Sequence, residues 1–290
     1  MSYFEAIILG IIQGLTEFLP ISSTAHLRVV PALVGWDDPG APFTAVIQLG
    51  TLLAVLIYFR VELIRAFVGW AKSLTNSAER KSQDAIMGWA IAVGTVPIVV
   101  FGVAFKSQIE ADLRSLQVIA WTLIGMGILL QVAERVGKRV RPIESVSMKD
   151  GLWVGLWQAV ALIPGASRSG STITGALFAG FDRSTAARFS FMLSVPSIFA
   201  AGVFSLKEHA SVLAGPLAGQ VIVANVLGFI SGYAAIAFLI RMLQTKGTLI
   251  FTVYRIVLGV LILVLLQNGT LSPYQGMESP ESANVSTEAP

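Results

Sequence analysis

The sequence predicts an all-α polytopic membrane protein: six transmembrane helices plus two re-entrant helical hairpins, arranged as an inverted-topology internal repeat. Three observations predict it. Hydrophobic residues make up 54% of the 290 residues and charged residues only 13%, roughly half the charged share of a soluble domain, and the mean hydropathy is +0.74. Polar breaks fall in the middle of apolar runs, too deep for a plain anchor. Landmarks of the first half also return in the second at a nearly constant shift.

Composition excludes several classes. There is no cysteine, so disulfides, thiolate catalysis and cysteine-based zinc sites are ruled out. The net charge of +3 suits cytoplasmic loops of a membrane protein and does not call for nucleic acid. No Lys or Arg precedes Arg28, so the N-terminus lacks the charged region of a cleaved signal peptide and is expected to stay in the mature chain.

Residues 3–34 form two apolar arms, Tyr3 to Leu19 and Ser22 to Val34, broken at Pro20. Neither arm reaches the roughly 20 residues a crossing needs, so a hairpin that returns to the same face is expected. Proline removes a backbone donor, and Ser22, Ser23 or Thr24 can cap the second arm. Three crossings follow, at 43–59, 85–105 and 116–133. The segment 60–83 carries Arg60, Arg65, Lys72, Arg80 and Lys81 and is assigned to the cytoplasm, whereas 106–115 balances its charges and is assigned outside. These elements make a first repeat, residues 1–134.

A cytoplasmic linker, 135–149, holds Arg135, Lys138, Arg139, Arg141 and Lys149. The second repeat, 150–267, restarts the pattern: a hairpin at 151–181, then crossings at 189–206, 217–240 and 249–266. The tail, 268–290, is polar and expected to be disordered.

The halves align at Gly10 and Gly155, Gln13 and Gln158, Pro20 and Pro164, and Phe43 and Phe189, shifts of 145, 145, 144 and 146. Three crossings is an odd number, so the second copy must enter the bilayer inverted. Charge agrees with that topology. The four segments assigned to the cytoplasm (60–83, 135–149, 182–188 and 241–248) hold 14 Lys and Arg, and the external loops hold three, Lys106, Arg114 and Lys207. The polar hairpin tips would then meet near the midplane, where inverted-repeat transporters place their ligands.

The tips carry chemistry. Pro164-Gly-Ala-Ser-Arg-Ser-Gly-Ser-Thr172 offers a helix N-terminus, the fixed charge of Arg168 and the hydroxyls of Ser167, Ser169 and Thr172, which together suit phosphate. The first tip adds Ser22 and Thr24 as further hydroxyls. Glu17 and Gln13 are four residues apart on one helix face, where they can ligate a divalent cation, Mg²⁺ or Ca²⁺, bridging phosphate oxygens. His26 follows Ser23 by three residues, close enough for a base and nucleophile. Each feature has a plainer reading: an N-cap for the serines, half of an ion pair for Glu17 or Arg168, an interfacial hydrogen bond for His26. Their gathering at two paired tips favours the functional one. Arg28 is read as snorkelling to the interface, Arg255 as structural and His209 as solvated.

Gln13-Gly-Leu-Thr-Glu17 fits an (E/Q)xxxE element, Glu17-Phe-Leu-Pro-Ile-Ser-Ser-Thr-Ala-His26 surrounds it, and residues 164–172 fit PGxSRSxxT. In these motifs, and in the Tyr254-Arg255 pair, the chain resembles the bacterial undecaprenyl-pyrophosphate phosphatases of the bacitracin-resistance type over essentially all of 1–267. The resemblance implies hydrolysis of undecaprenyl diphosphate to the monophosphate and phosphate, recycling the lipid carrier for cell-wall synthesis. It also implies an inner-membrane protein whose site opens to the periplasmic side, with Glu17, Ser23, His26 and Arg168 as functional positions. Gln13 stands where some members have Glu, which weakens any metal site that needs two carboxylates.

Two routes fit the residues: a phosphoenzyme on Ser23 activated by His26, or a water positioned by Glu17 and His26. The expected partners are a polyprenyl diphosphate and membrane lipids, with no nucleic acid and a homodimer left open. The rival class is a polyprenyl-phosphate flippase or transporter using the same anion site. The acid phosphatase superfamily is set aside, since His209 lies far from any second catalytic position.

Overall fold

Short helices come in two pairs, and long ones fill the space between. The computed structural model describes residues 1–110 and 112–277. The first pair is α1 (Tyr3–Phe18) and α2 (Ser23–Val34). Ser2 and Glu5 form a reciprocal capping box at the start of α1, and the helix stops just before Pro20, which cannot donate a backbone hydrogen bond. Then come α3 (Gly40–Tyr58), α4 (Arg60–Thr75), α5 (Gln83–Ala104), α6 (Lys106–Glu110) and α7 (Leu116–Val136). Past the linker, the second short pair is α8 (Met148–Val160) and α9 (Arg168–Phe178). The chain continues through α10 (Arg183–Glu208), α11 (Ala210–Leu213), α12 (Ala218–Thr245) and α13 (Leu249–Gln267).

Six of these helices, α3, α5, α7, α10, α12 and α13, run 19 to 28 residues with mean hydropathy between 1.8 and 2.7. At about 1.5 Å per residue each can cross a hydrocarbon core of about 30 Å. The expected crossings all fall on them. By contrast α1, α2, α8 and α9 have 16, 12, 13 and 11 residues, too short to cross. The charged segment 60–83 is more ordered than its composition suggests. Ala66, Gly69 and Ser73 recur at helical spacing and are buried, which gives α4 a smooth face to lay on α5.

The short helices are held by very close backbone contacts. A Cβ on Gly10 would lie 2.5 Å from the Ala224 carbonyl oxygen of α12, and one on Gly155 would lie 2.2 Å from the Gly94 oxygen of α5. Only glycine admits such an approach. Thus α1 packs on α12 and α8 on α5, while α3 packs on α10 and α7 on α13.

Two expectations need correction. Residues 268–277 were expected to be disordered, but they form turns: Leu116 N–H donates to the Pro273 carbonyl at 2.8 Å, Asp38 N–H to that of Gly276 at 3.0 Å, and Leu271 is buried. Leu271 reaches the apolar cluster of Ala25, Val29 and Leu116, which holds the segment down; residues 278–290 lie outside the described residues. Arg28, expected to snorkel, is buried beside Asp38, its Nε 3.5 Å from the carboxylate that Arg114 also binds. A carboxylate inside the protein competes successfully with the membrane surface for its charge.

The linker is tied at both ends. Arg141 donates to both oxygens of Asp150, at 2.8 and 2.7 Å, and to the carbonyls of Ala179 and Ser145. Burial alone would raise the Asp150 carboxyl, but hydrogen bonds from Arg141 and Ser147 outweigh it and hold it below the usual carboxylate range. Glu134 takes Arg139 and Arg183 in the same region.

Candidate active site

The two short pairs meet end to end. Ser22 and Ser167 are the N-caps of α2 and α9, and each has a positive φ, 75° and 70°. Such a conformation is costly for a residue with a side chain. Each serine is compensated in the same way, its hydroxyl accepting the N–H three residues on, from Ala25 at 3.3 Å and Gly170 at 3.1 Å. The sharp turn aims the first residues of α2 and α9 at the C-terminal end of α1.

Glu17 is the centre of the arrangement. Its Oε1 accepts from Arg168 Nη2, and its Oε2 accepts from the Gln13 amide at 2.8 Å and from the Ser23 hydroxyl at 2.6 Å. Arg168 also donates to Gln48 Oε1 at 3.0 Å, reaching across to α3. A buried ion pair is tolerated only when its other valences are filled, and here Gln13, Ser23 and Gln48 fill three of them. Gln13 contributes one further feature. Its Oε1 is fully buried and has no hydrogen-bond partner.

The remaining hydroxyls are largely committed to the protein. Ser169 lies 3.1 Å from both the Glu17 and Leu19 carbonyls, latching α9 to the end of α1. Thr172 donates to the Arg168 carbonyl at 2.7 Å and touches Ser190, one turn inside α9. Ser167 contacts Ser169 at 3.2 Å, and Ser22 contacts Thr24 at 3.1 Å. Thr24, half-buried, is the most open of these hydroxyls on the first tip.

His26 does not meet Ser23. Its Nδ1 lies 2.7 Å from the Ser22 carbonyl and its Nε2 lies 2.6 Å from the Tyr254 hydroxyl of α13. The three-residue spacing does put both side chains near the start of α2. However, Ser23 points back to α1, and the pull of the Ser22 carbonyl turns the imidazole toward α13.

Three residues complete the site. Gln48 is the one amide in α3, a signal that the sequence carried; the buried polar side chains of that helix are Thr44 and Thr51. Tyr254 stacks on His26 with the ring planes 8° apart. Arg255 is fully buried, and its guanidinium donates to Pro20 of the first tip, to Gly165 and Ala166 of the second, and to Leu123 of α7, at 2.9 to 3.2 Å. Its structural reading was right in kind, but what it structures is the junction of the two tips.

A cavity of about 360 Å³ opens beside the first half of α1, bounded by Glu5, Leu9, Asp38, Phe43 and His209 among others. Leu9 is one helical turn, about 6 Å, from Gln13. Among the described residues no group of three His, Cys, Asp or Glu gathers to hold a metal. Glu17 and the unpartnered Gln13 oxygen are the donors present at the centre.

Six long apolar helices with a buried carboxylate, arginine and serine among them define a multi-pass membrane protein with a charged centre. The chain belongs to the family described as bacitracin resistance protein BacA, which matches residues 6–261. It is 53% identical over 280 residues to the undecaprenyl-diphosphatase of Prosthecochloris aestuarii, covering 93% of this chain and 99% of that one. It is 50% identical over 281 residues to the undecaprenyl-diphosphatase of Myxococcus xanthus, covering 97% and 95%. Undecaprenyl-diphosphatase 2 of Streptomyces avermitilis is 47% identical over 287 residues, covering 94% and 98%.

Proposed function

We propose that this protein is an undecaprenyl-diphosphatase, releasing inorganic phosphate from undecaprenyl diphosphate. The observation that carries the reading is half-identity to proteins of that name over nearly their whole length, joined to a buried centre with the groups the reaction needs. Glu17, Ser23 and Arg168 act at the reacting phosphate, with His26 beside them.

In the resting site Glu17 is the counter-charge of Arg168. An incoming diphosphate takes over the guanidinium, which suits phosphate oxygens bidentately. That exchange leaves the Glu17 carboxylate facing the Ser23 hydroxyl at 2.6 Å. Ser23 Oγ then attacks the terminal phosphorus, its proton passes to Glu17, and the bond to the bridging oxygen breaks to release the lipid monophosphate. Water positioned by His26 then attacks the phosphoserine phosphorus, and the Oγ–P bond breaks. Glu17 returns its proton to Oγ, and the proton the water loses passes through His26 to solvent as inorganic phosphate leaves.

Arg168 stabilises the charge that develops on the equatorial oxygens. Thr24 and the positive N-terminal ends of α2 and α9 complete the anion site. A divalent cation, Mg²⁺ or Ca²⁺, would be held by Glu17, the unpartnered Gln13 oxygen and the substrate's own oxygens. It supplies charge neutralisation at the diphosphate.

The short pairs act as re-entrant hairpins in an inverted repeat. Support comes from Ser22 and Ser167, strained N-caps 145 residues apart, and from the reciprocal packing of α1 on α12 and α8 on α5. The positive-inside distribution supports a cytoplasmic linker and a site that opens outside, on the side of the cavity near Leu9. Repeats 1–134 and 150–267 are then two halves of one catalytic unit.

Purified protein in detergent tests the reading: phosphate release from a prenyl diphosphate, with and without chelator, for wild type and Glu17→Ala. Release by wild type and its loss in the variant are expected. A wild type that binds the lipid but liberates no phosphate without a second compartment would instead mark a transporter.

A further inference from the structure

His26 has both ring nitrogens engaged, and the partners decide its form. The Ser22 carbonyl can only accept, so Nδ1 at 2.7 Å must carry a proton. In the neutral ring Nε2 is then bare and accepts the Tyr254 hydroxyl at 2.6 Å. Ring stacking, with centroids 5.6 Å apart, fixes the orientation. His26 is buried, and Tyr254, 43% exposed on α13, closes the ring in from the other side. The neighbouring Arg255 anchors this part of α13 to both tips, so the tyrosine cannot drift from the site.

We propose that Tyr254 is a positioning residue for the reaction: while the Ser22 carbonyl holds the Nδ1 proton, its hydroxyl engages the bare Nε2 and fixes the orientation of the His26 ring, leaving Nε2 as the proton-accepting atom. The proposal deepens the phosphatase reading and rests on it for the kinetic consequence, but the tautomer itself does not depend on activity. A phenylalanine at 254 would keep the ring and its stacking while leaving a buried ring nitrogen without its donor. The imidazole would then lose the contact that fixes its orientation from the side of α13.

The chain has only two histidines, so a His209→Gln background isolates His26. His209 sits at the α10 to α11 junction on the rim of the cavity, its ring bonded to the Ser205 carbonyl, and belongs to neither α2 nor α13. In that background, ¹⁵N-histidine NMR of the detergent-solubilised protein should show a protonated Nδ1 and a bare, hydrogen-bonded Nε2. Tyr254→Phe should move the Nε2 resonance while Nδ1 stays protonated on the Ser22 carbonyl, and the thermal midpoint should fall by no more than the loss of one buried hydrogen bond accounts for. On prenyl diphosphate the same variant should lower kcat on the order of 10- to 100-fold, part of a typical acid–base contribution, with KM within about twofold.

An Nε2-protonated tautomer in the parent, an unmoved resonance in Tyr254→Phe, or an unaltered kcat would each overturn the proposal. If the parent liberates no phosphate, the phosphatase reading fails by itself, and the NMR comparison still decides the Tyr254–His26 pair.

Discussion

Arg168 and Glu17, 151 residues apart in sequence, are each other's counter-charge: one guanidinium nitrogen donates to the carboxylate at the point where α9 meets the end of α1. The contact joins the two halves of the chain and neutralises both charges inside the protein. Under the proposed reading, the diphosphate takes the place of Glu17 on the guanidinium.

The pair should behave as a unit in stability. Glu17→Gln or Arg168→Gln alone leaves a buried charge without its partner, a change that costs about 3–5 kcal/mol. The double variant should cost less than the sum of the two. Unfolding free energies in mixed micelles measure the coupling, and additivity would mean that the contact contributes nothing.

Arg255 should be irreplaceable by lysine. Four carbonyls from three parts of the chain converge on its guanidinium, and an ammonium cannot span them. Arg255→Lys should lose about 3 kcal/mol or more from unmatched buried acceptors. Activity should fall with it because both tips lose their common anchor. Thermal unfolding and turnover of the variant are the measurements.

The linker gives a pH signature. Asp150 is held below the usual carboxylate range by Arg141 and Ser147 against the opposing effect of burial. A depressed folded value means the stabilisation is present above the unfolded value of about 3.9 and is lost as pH falls through the lower folded one. Asp150→Asn should therefore lower the thermal midpoint at neutral pH, and the gap from wild type should close in strong acid.

Gln13 tests the metal. If its unpartnered oxygen joins Glu17 in holding a divalent ion, Gln13→Leu should raise the Mg²⁺ or Ca²⁺ concentration needed for half-activation by about tenfold, in the range seen when metal-site support is removed. Gln13→Glu should lower it. Equal activation curves, together with equal metal-induced shifts in thermal midpoint, would remove Gln13 from the site.

Much of this molecule can be read in its residues, because hydropathy and helix length are local quantities. The six crossings follow from apolar runs alone, and Pro20 and Pro164 announce the breaks. Glu17, Ser23 and Arg168 stood out because polar groups inside apolar runs need a reason. What could not be read is direction. Ser23 and His26 share the first turn of α2, yet one faces α1 and the other α13, a choice made by the Ser22 carbonyl and Tyr254. Arg28 and the segment 268–277 were misjudged for a related reason: their partners, Asp38 and the Leu116 region, are distant in sequence. Arg255 likewise has its role only through carbonyls of Pro20 and Gly165, whose nearness no spacing rule reveals.

The central claim is that Ser23, facing Glu17, is the nucleophile. Brief reaction of purified protein with labelled prenyl diphosphate, quenched in acid and mapped by mass spectrometry, tests it most directly, alongside the turnover of Ser23→Ala. A phosphate adduct on Ser23 and a loss of about 10³-fold or more in the alanine variant are predicted. An alanine variant that keeps most of its turnover would contradict it.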